Sequence, residues 1–222
     1  MTSGGSSRDL EEALVRSIVA EGVRDRRVLH AFRRMPRERF VPADWSGRAS
    51  EDRPIPIGHG QVTTQPSLIA RMVAGLGLEG EERVLEVGTG LGFQSAILAM
   101  LAKEVFSIER FPDLAERARR NLEAAEVSGV IVVVGDGTKG LPERAPFDAM
   151  VVSAAAPDVP QPLVEQLTEG GGLVQPLGPG GYETVIAYRK RGGRLVEEAR
   201  LTRASFVPLV GEYGLPEQRS LR

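Results

Sequence analysis

Cysteine is absent from this chain of 222 residues, which excludes disulfide bonds, a thiolate nucleophile and any metal site built from cysteine. Long apolar runs are missing too, since none approaches the ~20 residues that a transmembrane helix needs. The opening residues MTSGGSS lack the apolar segment of a secretion signal. We therefore expect a cytoplasmic protein that does not enter a membrane.

An excess of basic residues is also lacking. The formal net charge is -2 with 26% charged residues, so we expect no nucleic acid partner. The length suits one large domain with a substantial core. We expect one compact unit, a monomer, whose segments are a flexible start (1–7), a helical cap with an active-site loop (8–78), an α/β core (79–214) and a tail (215–222).

The most informative stretch is a β-rich run that ends in closely spaced glycines. Val84 to Val87 is followed at once by Gly88, Gly90 and Gly92, and a helical pattern begins at Gln94. This order predicts a strand, a tight turn and a helix. Such a turn lets the backbone approach a ligand, because glycine accepts unusual φ and ψ and carries no Cβ.

Two phosphate-binding motifs resemble this turn, but the residues do not match either. A P-loop needs Gly-Lys-Ser/Thr, and no lysine follows Gly92; a dinucleotide fingerprint needs glycine where Phe93 stands. Glu109 ends the next hydrophobic run, and a carboxylate at the tip of a second parallel strand accepts both ribose hydroxyls. These features predict a nucleoside pocket without phosphates, which S-adenosylmethionine fits best. The alternative is an ordinary turn with a surface glutamate.

Two helices and a long loop precede the glycine turn. Apolar spacing predicts helices over about 8–22 and 25–35, which we interpret as an N-terminal cap. Residues 40–66 are rich in Pro and Gly, and we expect a long functional loop without regular structure.

Pro66 opens the next helix, with Thr64 or Gln65 as its N-cap. Free backbone N–H groups at such a start bind anions, so we expect an anion site there. The alternative is that Thr63 and Thr64 merely cap the helix.

The α/β alternation continues after the turn and predicts a Rossmann-like, doubly wound, mostly parallel sheet. The predicted elements are helices near 112–126 and 162–168 and strands at 130–134, 147–152, 173–177, 184–188 and 195–210. The last strands have no intervening helix, which favours an antiparallel sheet edge. Asp136 follows the third strand between glycines and is predicted to accept from the adenine amine; the alternative is an Asp-Gly turn.

Over nearly its whole length, from about Leu10 to Gly214, the chain resembles the protein-L-isoaspartate O-methyltransferase family. The segments that carry the resemblance, in order, are Asp52 with 54–58, 60–66, 84–94, 135–137, 147–148, 154–157, 171–172 and 206–209. The resemblance implies a class I methyltransferase fold and a protein carboxyl O-methyltransferase that uses S-adenosylmethionine, releases S-adenosylhomocysteine and needs no metal. Its implied substrates are isoaspartyl-containing proteins or peptides.

The resemblance also implies roles for individual residues. The family's catalytic serine falls on Thr64, and substrate contacts are implied for Ile57, Thr64 and Val207. The implied cofactor contacts are Val62, Thr63, Thr64, Gly88, Thr89, Gly90, Leu91, Glu109, Arg110, Asp136, Gly137 and Val210.

The departures from the family pattern lie in the substrate loop. Threonine replaces serine at Thr64, Val62 stands where the family has threonine, and Thr63 stands where it has isoleucine or valine. Two alternatives to isoaspartyl repair therefore stay open: a carboxyl methyltransferase for a dedicated peptide aspartate, and a non-catalytic protein that binds an adenosyl ligand.

Overall fold

The computed structural model describes residues 7–178 and 181–217. Residues 1–6 and 218–222, which make up most of the predicted flexible start and more than half of the predicted tail, lie outside the described residues. The helices are α1 (Ser7–Ala20), α2 (Arg26–Arg34), α3 (Pro66–Leu76), α4 (Phe93–Ala99), α5 (Pro112–Ala124) and α6 (Gln161–Gln166). The strands are β1 (Ile55–Gly58), β2 (Gln61–Thr63), β3 (Arg83–Val87), β4 (Glu104–Glu109), β5 (Val130–Val134), β6 (Phe147–Val152), β7 (Leu167–Leu177), β8 (Glu183–Arg191) and β9 (Arg194–Ala204).

Strands β3 to β9 form one sheet in the order β5-β4-β3-β6-β7-β8-β9. Pairing is parallel from β5 to β7 and antiparallel from β7 to β9. The predicted α/β class and the antiparallel edge are thus confirmed. The chain builds outward from β3 first to one side and then, through β6, to the other, so the carboxyl ends of β3 and β6 flank a crevice where such sheets bind ligands.

Both faces of the sheet are covered, because alternate residues of its central strands are apolar and point to opposite sides. Val84 and Val105 join the cluster formed with helices α1 to α5, whereas Leu85 and Phe106 join the cluster on the face of α6. The sheet is therefore a rigid support for loops at its carboxyl edge. No helix in the described ranges is long and apolar enough to cross a membrane.

The loop predicted to lack regular structure is the main error in the predicted fold. Residues Arg37–Phe40 and Ala43–Arg48 form short 3-10 helices, and β1 and β2 form an antiparallel hairpin in which Ile55 pairs with Thr63. Pro54 and Pro56 concealed the hairpin, since proline within a run argues against a strand unless the strand is at an edge.

Candidate functional site

A cavity lies at the carboxyl edge of the sheet, beneath the β1–β2 hairpin. Its walls are the glycine turn with Val87–Leu91, the end of β4 with Ile108–Arg110, the hairpin with Ile57 and Gln61–Thr64, and the segment Val207–Val210. Every residue that the sequence analysis assigned to cofactor or substrate lines this cavity, apart from Asp136.

The glycine turn takes the conformation that its sequence predicts. Gly88, Gly90 and Gly92 have φ of 99°, 56° and 91°, a region that side chains rarely enter. The N–H groups of Gly88 and Thr89 donate to the Ile108 carbonyl at 2.9 and 3.3 Å, which fixes the turn against β4. A Cβ at Gly90 would lie 3.3 Å from Ile57 Cδ1 of the hairpin. The turn and the hairpin are thus in close contact across the cavity.

Glu109 ends β4 with its carboxylate in the cavity wall and is 5% exposed. Burial raises its pKa, but the backbone N–H groups of Phe111 and Gly90 donate to the two carboxylate oxygens at 3.1 and 2.8 Å and favour the ion. A carboxylate has about four lone-pair sites, and these backbone bonds, with a further one from Arg110, leave acceptor capacity for a ribose hydroxyl. This donor set fits the adenosyl group that the sequence predicts.

The side chain beneath the turn is another buried acid, Glu86. The hydroxyls of Ser95 and Ser107 donate to its Oε2, the second at 2.6 Å, and Ser107 Oγ lies 2.5 Å from Thr89 Oγ1. Burial raises the pKa of Glu86 to about 7. This polar network links β3, β4 and α4 to the glycine turn.

Thr64 borders a second, larger cavity of about 680 Å³. Val62, Thr64, Ser153 and Val207 line both cavities. The second cavity continues between α3 and β9, along Arg71 and the segment 202–207. Thr64 therefore lies in the wall between the cofactor cavity and an open groove.

Helix α3 begins at Pro66 with Gln65 as its N-cap, as predicted, but its first N–H groups are not free. The Ser67 N–H donates to Asp52 Oδ1 at 2.8 Å. An N–H group predicted to be free for an anion already binds a carboxylate of this chain, so the predicted anion site is corrected. Thr63 does not cap the helix either, because its hydroxyl accepts from Arg37 at 2.7 Å.

Asp136 lies beside the cavity instead of lining it. Its Oδ1 accepts from the Thr138 N–H at 2.9 Å, and its Oδ2 accepts from the Glu212 N–H at 2.8 Å. Partial burial opposes ionisation, but these bonds together lower the pKa of the Asp136 carboxyl. The carboxylate holds the segment that brings Val210 to the cavity, and its contact with adenine stays a prediction.

The tip of the hairpin rests on the start of α5. The His59 ring stacks on Phe111 with centroids 4.3 Å apart, and its Nε2 lies 2.9 Å from Asp113 Oδ1. Arg117 donates to the Ile57 carbonyl at 3.0 Å. In this position the hairpin leaves a cavity of about 100 Å³ beneath it. Ligand pockets typically measure roughly 300–1,000 Å³, so we expect the cavity to widen for a ligand, and the exposed contacts of the tip make it the element that we expect to move.

Several residues that line the cavity were not predicted from the sequence. They are mostly apolar and include Phe40, Ile69, Phe93 and Leu114, together with the polar Ser153. Ser153 directly follows β6, so the rule that ligands meet strand ends could have found it. The apolar residues carry no local signal, because core residues have the same pattern. Within the described residues, no group of three His, Asp or Glu side chains is placed to hold a metal ion.

Comparison with known proteins agrees with this geometry. A family model described as protein-L-isoaspartate(D-aspartate) O-methyltransferase matches residues 9–214. A protein-L-isoaspartate O-methyltransferase of Methanoculleus marisnigri is 51% identical over 207 residues, covering 93% of this chain and 94% of that relative.

Solved structures agree as well. One protein-L-isoaspartate O-methyltransferase matches with a TM-score of 0.79 at 29% identity, over 92% of this chain and 67% of that one. A structure from Plasmodium falciparum, described as that enzyme in complex with S-adenosyl-L-homocysteine, matches in fold with a TM-score of 0.78 at 21% identity, over 90% of this chain and 98% of that one. The chain belongs to the protein-L-isoaspartate(D-aspartate) O-methyltransferase family.

Proposed function

We propose that this chain methylates the α-carboxyl group of L-isoaspartyl residues in damaged proteins or peptides, the step that starts their repair through a succinimide. The observation that best supports this proposal is the position of Thr64. This residue stands at the family's serine position and lies in the wall shared by the two cavities. Family membership supports the isoaspartyl acceptor over a dedicated aspartate and over a non-catalytic binding protein.

The residues of the first cavity, beneath the β1–β2 hairpin, suit S-adenosylmethionine. Glu109 would accept the ribose hydroxyls, and the turn Gly88 to Leu91, with Arg110, Gly137 and Val210, would surround the rest of the ligand. Val62 and Thr63 would close it from the hairpin. When bound, this group supplies a methyl carbon made electrophilic by the attached sulfonium.

The chain's own task is to hold the acceptor in line. A carboxylate has a reference pKa near 4, so it is already an anion at neutral pH and needs no general base. The Thr64 hydroxyl would donate to it, and Ile57 and Val207 would pack beside it. Alignment of two reactants contributes about 7–11 kcal/mol at best. Apolar walls such as Phe40 and Phe93 exclude water, which favours a step in which opposite charges cancel.

The open groove supports a polypeptide acceptor, because it lets a chain run past Thr64 toward α3 and β9. We also propose that the protein works as a monomer without nucleic acid. One chain supplies the residues that line both cavities, and the formal net charge of -2 gives no overall excess of basic residues.

A paired transfer assay tests this function. Labelled S-adenosylmethionine is supplied with an isoaspartyl peptide and with its aspartyl twin, and we expect label in the isoaspartyl peptide alone. Equal labelling of both peptides would point to the dedicated aspartate. Tight binding of S-adenosylhomocysteine without transfer to either would leave a binding protein.

Variants of Thr64 test its role. Loss of one preorganised donor costs roughly 10²–10³ in turnover, so Thr64→Ala should slow transfer by about that factor at saturating cofactor. Affinity for S-adenosylhomocysteine should change little. Thr64→Ser should keep or raise the rate, because it retains the hydroxyl without the methyl group. Full turnover in the alanine variant would contradict the proposed role.

A further inference from the structure

Arg37 is a buried arginine that holds the loop leading to Thr64. It is 3% exposed and belongs to the 3-10 helix Arg37–Phe40 of the cap. Its guanidinium donates to the carbonyls of Ala49 (3.3 Å), Glu51 (3.0 Å), Arg53 (2.9 Å) and Thr64 (3.5 Å) and to the hydroxyl of Thr63 (2.7 Å). These acceptors lie on both sides of the β1–β2 hairpin, so one side chain ties its two ends together.

The charge of this side chain persists despite burial. Burial lowers the pKa of Arg37 to about 10, and the nearby Asp52 carboxylate acts in the opposite direction. The guanidinium is therefore a cation at neutral pH, and its hydrogen bonds to carbonyls are charge-assisted. It also lies 5.9 Å from the ring centroid of Phe93, which lines the cofactor cavity. Arg37 thus links the cap, the hairpin base and the cavity wall.

Thr63 directs its hydroxyl into this cluster. Successive residues of a strand point to opposite faces, and Val62, which is 44% exposed, lines both cavities. The Thr63 hydroxyl instead accepts from Arg37 and from the Ile55 N–H at 3.2 Å. It joins the last residue of β2 to the first residue of β1, directly before Thr64.

The base and the tip of the hairpin are held in different ways. The base is fixed by buried, charge-assisted bonds from Arg37. The tip is held by the exposed His59–Asp113 pair and by stacking on Phe111. A tip that opens for a ligand would therefore leave Thr64 in place.

We propose that Arg37 and Thr63 are positioning residues for the methyl acceptor: they fix the hairpin base so that Thr64 stays in the wall between the two cavities. This role rests on the proposed function. It gives Thr63 a task on the acceptor side, in addition to any main-chain contact with the cofactor.

The test compares Thr63→Val, Thr63→Ser and Arg37→Lys with the parent protein. Thr168→Val is the matched control. Thr168 is a half-buried strand threonine at the start of β7, where the parallel strands begin, whereas the cavities lie where these strands end. Three quantities are measured: amide hydrogen exchange of residues 49–64 in the ligand-free protein, the dissociation constant of S-adenosylhomocysteine, and kcat and KM for the isoaspartyl peptide.

Thr63→Val and Arg37→Lys should speed exchange across 49–64 and lower kcat by at least about tenfold, because small misplacement of reactants costs that much. The dissociation constant of S-adenosylhomocysteine should stay within about twofold. Thr63→Ser keeps the hydroxyl, so its exchange rates and kcat should match those of the parent protein. Thr168→Val should leave both quantities unchanged.

Two outcomes would overturn the proposal: unchanged kcat in Thr63→Val and Arg37→Lys, or a loss of S-adenosylhomocysteine affinity as large as the loss of kcat. A parent protein that methylates no isoaspartyl peptide would instead sink the proposed function. In that case the exchange data would still test the role of Arg37 and Thr63, since exchange is measured without substrate. Unchanged exchange in the two variants would show that these residues do not fix the hairpin base.

Discussion

Among single residues, Glu109 offers the most direct test of whether the cavity beneath the hairpin binds the adenosyl group. Hydrogen bonds to a charged group are worth about 1.5–3 kcal/mol, so Glu109→Ala should weaken S-adenosylhomocysteine binding by roughly 10-fold or more. Calorimetry gives the dissociation constant. Glu104→Ala, on the same strand but paired with Arg83 at its other end, is the control. Unchanged affinity in a folded Glu109→Ala protein would remove Glu109 from the site.

Glu86 should make stability depend on pH. Its pKa is about 7 in the fold against an ordinary 4.5, because burial disfavours the ion. Between these values the folded chain holds a proton that the unfolded chain has lost, so stability falls as pH rises through this window and levels off above it. Glu86→Gln should remove this contribution, and its melting temperature relative to the parent should rise from pH 5 to pH 8. Parallel profiles for the two proteins would show that Glu86 does not titrate in this range.

Among the elements, we expect the tip of the β1–β2 hairpin to govern access to the cavity beneath it. His59→Ala removes both the stack on Phe111 and the contact with Asp113. We expect S-adenosylhomocysteine to dissociate several-fold faster, as a competition experiment would measure, with little change in melting temperature because exposed ion pairs stabilise weakly. Glu116→Ala breaks another exposed pair on α5 and should not alter the rate. Equal rates in the parent and His59→Ala would mean that the tip does not limit release.

The hairpin is also the element that the sequence did not predict. The strands of the sheet were predicted because unbroken apolar runs such as residues 149–152 belong to buried parallel strands. The hairpin strands are short, contain Pro56 and turn at His59, whose φ is 53°. Arg37 donates to Arg53 and Thr63 at the hairpin base, and no local pattern in the sequence reveals a side chain that reaches the hairpin from the cap.

For the whole molecule, the sequence predicted the sheet, its antiparallel edge and about half of the residues that line the cavity. Those features follow from rules that link strand ends to ligand sites. Asp136 follows the same rule, but the sequence did not predict that the distant Glu212 N–H would donate to its carboxylate. The Asp52 cap on α3 failed to be predicted for a similar reason. Polar side chains near a site bind whichever donor the folded chain brings, and local sequence does not contain that information.

The position of the hairpin between the two cavities sets the order of events in a catalytic cycle. Val62, which follows the tip, lines both cavities, so we expect a peptide in the groove to pack on the hairpin and hold its tip closed over the first cavity. S-adenosylmethionine should then bind before the peptide, and the methylated peptide should leave before S-adenosylhomocysteine. S-adenosylhomocysteine should inhibit competitively against S-adenosylmethionine, and the methylated peptide should inhibit noncompetitively against the peptide substrate, whereas a rapid random order would make both inhibitions competitive.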